Sequence, residues 1–110
     1  MTAIIRGDVW WVSLDPTRGS EIRKTRPCLV LTNNTLNLHR RTVIVVPYST
    51  YAQAYPPITV PVSCHGRAAV AIIDQARAVD KSRLHDRIET ASPEDLARVT
   101  DALQKVLDLP

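Results

Sequence analysis

A chain of 110 residues, 45% hydrophobic and 23% charged, can bury one modest core without metals or disulfides, so a single domain over residues 1–110 is expected. The formal net charge of +3 is unevenly spread, since the first fifty residues hold seven Lys and Arg against three acids and the remainder seven against eight. Two distant cysteines with apolar neighbours, three singly scattered histidines and the lack of any long apolar run argue against a disulfide scaffold, a zinc site and a membrane protein, and point to a cytoplasmic chain without a cofactor.

Residues 9–14, VWWVSL, form the first expected strand, rich in types that suit a pleated surface. Neighbouring strand residues point to opposite faces, so only one of Trp10 and Trp11 can face the core. The other is left for a second buried surface, such as a dimer contact, or for covering its own loop. Residues 28–32, CLVLT, make a second strand, and residues 42–46, TVIVV, a third that is buried on both faces, begun after a polar loop at 33–41 and stopped by Pro47. A fourth covers residues 58–62, where Pro61 cannot donate a ladder hydrogen bond and so favours an edge or a bulge. Residues 69–73 are a fifth, residues 76–79 continue the sheet beyond a bulge, and residues 87–89 add an edge.

Asp80 is suited to cap one helical turn reaching Leu84. Ser92, Pro93 and Asp95 then make a helix-start signature of the capping-box kind, and the helix runs from Pro93 to about Leu107. Leu96, Val99, Leu103, Val106 and Leu107 fall on one stripe that should lie against the sheet. The whole is mainly β with a C-terminal helix, a small and strongly curved sheet or partly closed barrel with its loops gathered at the rim.

Between the first two strands, residues 15–27, DPTRGSEIRKTRP, place Arg18, Arg23, Lys24 and Arg26 within nine positions. Such a cluster makes a local positive field for phosphate, and an arginine can grip phosphate oxygens as a bidentate fork. The default partner is a polyanion, and if that polyanion is RNA its backbone carries its own nucleophile. That nucleophile is the 2′-hydroxyl, so that cutting RNA needs alignment of that hydroxyl, a fixed cation for the extra charge on the phosphorane, a donor to a non-bridging oxygen and a means of moving protons. Arg26, next to rigid Pro27 at the mouth of a strand, is the loop cation best fixed for that task. Ser49, past the third strand, with Thr50 beside it, is a candidate donor, and Glu21, the carboxylate among the cations, can take a proton or orient Arg26.

Five segments in order resemble the MazF/PemK (Kid) family of toxin endoribonucleases from type II toxin–antitoxin systems. They are RGDVWWVSLDPTRGSE at 6–21, RP at Arg26 and Pro27 followed by CLVLT, VVPYST at 45–50, YPPITVPV at 55–62 and IIDQARAVD at 72–80. The resemblance implies an SH3-like barrel of the CcdB/PemK type, a homodimer, and metal-independent, sequence-selective cleavage of single-stranded RNA to 2′,3′-cyclic phosphate and 5′-hydroxyl ends. It also implies a cognate antitoxin whose acidic, disordered tail folds onto the basic groove.

Carried over by position, Arg26 is the family's central catalytic arginine and Glu21 its loop glutamate. Ser49 stands where the family has threonine, keeping the hydroxyl and dropping the methyl. Asp74, followed by Gln75, matches an acidic position tied to RNA contact or proton transfer, while Arg18, Arg23, Lys24 and Arg77 would track the RNA backbone. Ile22, Arg23 and Lys24 replace a neutral, flexible turn of many relatives, which makes this loop stiffer and more basic. The alternative is a non-enzymatic binding toxin on the same barrel, such as a DNA gyrase inhibitor, which would form a complex and yield no RNA products. Arg26 and the Ser49 hydroxyl favour the enzyme.

Overall fold

The computed structural model describes residues 3–21 and 24–110. Arg23, one of the expected backbone-tracking cations, and Ile22 lie outside the described residues. Among those described, seven strands run as β1 (Asp8–Ser13), β2 (Thr25–Val30), β3 (Thr42–Ser49), β4 (Thr59–Cys64), β5 (Arg67–Ile72), β6 (Arg77–Asp80) and β7 (Leu84–Thr90). Helices α1 (Asn34–His39) and α2 (Pro93–Val106) complete the order, with 3₁₀ turns at Ile73–Gln75 and Lys81–Arg83. The chain is mainly β with a C-terminal helix, as its patterning indicated.

All the strand pairs are antiparallel, in the order β4-β5-β3-β2-β1-β7, with β6 also on β3. The long β3 causes the curl. On one side it pairs with β2; on the other its first half pairs with β6, through Thr42 to Val45, and its end with β5, through Tyr48 and Ser49. Pro47, expected to stop this strand, lies inside it, between the residues bound to β6 and those bound to β5, where the ladder is already interrupted and a residue without an N–H is tolerated. Pro61 sits in β4, an edge strand, in keeping with its missing donor.

Alternation along the strands covers both faces of the sheet. Val9, Leu29, Val46, Tyr48, Val60 and Ala71 pack on one side with Val99 and Ala102 of α2. Trp10, Val12, Cys28, Val30, Val43 and Val45 pack on the other. Trp10 is the buried tryptophan and Trp11, 39% exposed, faces the opposite way. At the start of α2 the Ser92 hydroxyl accepts from the Asp95 N–H at 3.1 Å, and the buried Asp95 carboxylate accepts from Ser63 N–H at 2.9 Å and from Arg98 at 2.8 Å. One side chain thus ties the helix to edge strand β4. Among the described residues no helix is long and apolar enough to cross a membrane.

Other boundaries also differ from the sequence reading: β2 spans Thr25–Val30 where 28–32 was expected, and β7 spans Leu84–Thr90 where only 87–89 was. Residues 33–41, taken as a polar loop, contain α1, whose N-cap Asn33 accepts from Leu36 N–H at 2.9 Å and whose buried Asn37 donates to Thr32 O at 2.7 Å. Six residues including Thr, Asn and His are too few and too poor in propensity to announce a helix. Between β5 and β6 a 3₁₀ turn stands where a bulge was expected. The turn after Asp80 is as read, with the Asp80 carboxylate accepting from Ser82 N–H at 2.9 Å.

The Cys28 thiol, wholly buried in the second cluster, is pushed up to about 12 by burial, against the opposing fields of Arg77 and Arg26. A thiol held protonated in the fold but free to ionise when unfolded contributes stability that is complete below its ordinary pKa of 9.0 and lost as pH rises toward 12. Melting temperature is therefore expected to fall between pH 9 and 11, and less steeply in Cys28→Ala after allowance for that variant's lower starting value. Equal slopes for the two proteins would remove Cys28 from the account.

Candidate active site

The curl leaves an open cleft of about 610 Å³ at one end of the sheet. Pro27 of β2 and Tyr48 of β3 line it between two walls. Trp11 of β1 and Ile88 of β7 form one, and Cys64, His65, Arg67 and Ala69 of the β4–β5 hairpin the other. Along the rim lie Lys24, Thr25 and Arg26 from the start of β2 and Ser49, Thr50 and Tyr51 from the end of β3. Three of the residues expected at an anion site, Lys24, Arg26 and Ser49, are thus brought to one cavity with Thr50.

Strand register explains their meeting. Cys28 pairs with Pro47, and the same alignment carried two residues on sets Arg26 opposite Ser49, on one face of adjacent strands. Lys24 just before the strand is in the left-handed region at φ 69, and its carbonyl accepts from Leu14 N–H at 3.0 Å, closing the base of the loop. Arg26 is half-buried within the β1–β2 ladder, paired with Val12. Its cation is consequently carried by sheet, not by loop.

Ser49 is 7% exposed, and its Oγ accepts from the backbone N–H groups of Tyr51 at 3.1 Å and Ala52 at 3.3 Å. Two amide donors occupy the acceptor side of this hydroxyl and leave its proton to donate outward. The same bonds polarise the O–H and make it a better donor. The neutral acids of the cleft stay neutral. Burial, then the Asp95 carboxylate, pushes the Tyr48 phenol above its ordinary range, and burial, then Glu89, pushes the Cys64 thiol up. Cys64 is therefore not primed as a thiolate nucleophile.

Other expected residues lie around the 15–21 loop and are not among those lining the cleft. Glu21 is exposed, its Oε1 accepting from Arg18 N–H at 2.6 Å while its own N–H donates to Arg18 O at 3.1 Å. Gln75 donates to Ser20 O at 3.3 Å, with Asp74 exposed beside it. Arg77 donates to Leu14 O at 3.3 Å, and Arg83, which sequence reasoning passed over, donates to Ser13 O at 3.2 Å and to Asp15 O. Two arginines and a glutamine thus hold the loop by its carbonyls. Arg77 and Arg26 both act on the Cys28 thiol, from the loop side and the cleft side.

Sequence reasoning missed the far wall. His65 and Gly66, at φ 53 and φ 73, make a two-residue hairpin turn between paired Cys64 and Arg67, the left-handed pair of a type I′ turn. The signal was the dipeptide HG between residues that alternate on either side, masked because histidine is uncommon in that turn. His65 N–H donates to Glu89 Oε2 of β7 at 3.0 Å, a bond that joins opposite ends of the curled sheet across its mouth.

Residues 5–107 match the family described as PemK-like, MazF-like toxin of type II toxin-antitoxin system. The chain is 35% identical over 118 residues to Endoribonuclease MazF9 of Mycobacterium tuberculosis, covering 94% of this chain and 96% of that protein. It is 37% identical over 109 residues to Endoribonuclease EndoA of Bacillus subtilis, covering 94% of each. Its structure superposes on a crystal structure of MazF from Deinococcus radiodurans with a TM-score of 0.89 and 27% identity, over 99% of this chain and 100% of that one. The chain belongs to the PemK-like, MazF-like toxin family of type II toxin–antitoxin systems.

Proposed function

We propose that this protein is a sequence-selective endoribonuclease that cuts single-stranded RNA, with Arg26, Ser49 and Glu21 as its catalytic residues and no metal. The reading is carried by one observation, that Arg26 and Ser49 line the same cleft from adjacent strands. The RNA 2′-oxygen attacks the adjacent phosphorus and the bond to the 5′-oxygen breaks, leaving a 2′,3′-cyclic phosphate and a 5′-hydroxyl. Charge builds on the non-bridging oxygens between those events. The Arg26 guanidinium meets it with paired N–H donors, and the pre-polarised Ser49 hydroxyl donates to one oxygen.

Glu21 takes the 2′-hydroxyl proton, and water protonates the leaving oxygen. In the free protein the Glu21 carboxylate holds Arg18 N–H in the loop beside the cleft, and catalytic hydrogen bonds commonly form only when substrate is engaged. Arg18, Lys24 and Arg77, with Arg23, draw the strand along the basic side, and Thr50, Asp74 and Gln75 add polar contacts to it. Glu21→Gln keeps an oxygen for Arg18 N–H but cannot take a proton, so kcat should fall about 10²-fold with little change in KM. A Glu21→Gln enzyme with wild-type kcat would remove Glu21 from proton transfer.

A cognate antitoxin with an acidic tail is the proposed protein partner, because the basic groove that attracts RNA also attracts such a peptide. Homodimerisation and a cytoplasmic location belong to the same proposal, supported by likeness to the family. The deciding experiment is to incubate the purified protein, with EDTA present, with a long single-stranded RNA of mixed sequence and to map product ends. Discrete cuts with 5′-hydroxyl and cyclic phosphate ends are the expected result. Intact RNA across many sequences would overturn the proposal and favour a non-enzymatic toxin, with gyrase inhibition the next assay.

A further inference from the structure

The far wall of the cleft has no part in the chemistry above, yet it carries a cation and is firmly placed. Arg67 begins β5 and His65 forms the turn before it; both are exposed and both line the cavity that holds Arg26 and Ser49. The turn is fixed at three points. Cys64 pairs with Arg67, His65 and Gly66 occupy the left-handed pair, and His65 N–H is bound to Glu89 of β7. A surface loop kept only for connection needs no bond across the mouth of the sheet.

Register gives the spacing. Ser49 pairs with Val70 of β5, and Arg67 lies three residues before it, about 10 Å along an antiparallel strand. Arg26 and Arg67 therefore line one cleft from β2 and β5, the two strands that flank β3, together with the apolar surfaces of Trp11 and Ala69. Two cations and an apolar, aromatic lining in one cleft suit a single nucleic-acid strand, in which phosphates alternate with flat, stackable bases. Glu89, the one carboxylate bound to this turn among the described contacts, is tied to it through His65 N–H, and Arg67 supplies the cation of this wall.

We propose that the β4–β5 turn is a second phosphate subsite, in which Arg67, flanked by His65, binds a phosphate neighbouring the one that is cut. The inference rests on the endoribonuclease reading. The subsite fixes the path of the strand across the cleft, whose lining offers Trp11 as a surface for a base. Arg67 contributes binding that is equal in ground and transition states, and its loss should appear in KM more than in kcat.

The test uses an RNA cut by the wild-type protein and a set of copies in which each phosphate flanking the cleaved one is replaced in turn by an uncharged methylphosphonate. In the wild type one flanking replacement should raise KM about tenfold. Arg67→Ala should raise KM about tenfold on the unmodified RNA, change kcat less than about threefold, and lower the slope of log KM against log salt by about 0.7. The same single methylphosphonate should then cost Arg67→Ala nothing further. Arg67→Lys should recover most of the affinity, and Lys105→Ala, which removes a positive charge on the outer face of α2, should leave KM within about twofold. An unchanged KM in Arg67→Ala, or a methylphosphonate loss of equal size in Arg67→Ala and wild type at every position, would overturn the subsite while leaving the nuclease intact. A wild-type protein that cuts no RNA would overturn the underlying reading, and the subsite with it.

Discussion

Arg26→Ala is expected to lower kcat on single-stranded RNA about 10³-fold or more while the protein stays folded. The size follows from the position of the charge. Transition-state donors in other enzymes are worth about 10²–10³-fold each when removed, and arginines that neutralise a reacting phosphoryl group reach about 10³–10⁵-fold. Arg26 combines both roles at a half-buried place in β2, where its cation is less screened than one at a loop tip. The fold should survive because the flanking core residues, Cys28, Leu29 and Val30, are fully buried in the two clusters and do not depend on the guanidinium.

Arg26→Lys is the sharper companion. It keeps the charge and loses the planar fork, so it should recover only a small part of the rate if bidentate contact is what counts. Recovery to wild type in Arg26→Lys would reduce the role to that of a point charge. Wild-type cleavage by Arg26→Ala, with circular dichroism and melting temperature unchanged, would end the assignment. The two variants thus separate the presence of a cation from its shape.

Much of this was readable in the chain because its inner strands are short apolar runs bounded by polar or proline-containing segments. VWWV at residues 9–12 contains both the buried Trp10 and the cleft-facing Trp11, and period two alone separates them. Pro93 after Ser92 fixed the start of α2 for the same local reason. What was not legible depends on distant pairings. Nothing near His65 in the sequence announces that its N–H meets Glu89, twenty-four residues away, nor that Arg67 and Arg26 line one cavity. Pro47 misled in the opposite direction, because a strand that changes partners in mid-course has a place for proline that a uniformly paired strand lacks. The grouping of Arg77, Arg83 and Gln75 around the carbonyls of the 13–20 segment is likewise a product of the curl.

Ser49 carries the other large effect, and its substitutions divide a structural role from a chemical one. Ser49→Ala removes the oxygen that accepts from Tyr51 and Ala52 N–H groups and removes the proposed donor to phosphate. Loss of the two turn bonds should cost about 1–2 kcal/mol of stability, and loss of the donor about 10²–10³-fold in kcat. Ser49→Thr keeps the oxygen in place and restricts χ1, so activity should stay within about fivefold of wild type, provided that the added methyl is accommodated at a site only 7% exposed. If the oxygen serves the turn alone, both variants should track stability, and kcat measured well below the melting temperature should be normal in each. If Arg26 and Ser49 act on the same phosphorane, their losses cannot add. Arg26→Ala combined with Ser49→Ala should then be hardly slower than Arg26→Ala alone, because a donor aimed at a transition state that the missing cation no longer stabilises has little left to bind. Fully additive losses would place the two side chains at separate steps, with Ser49 acting on the strand before the phosphate reacts.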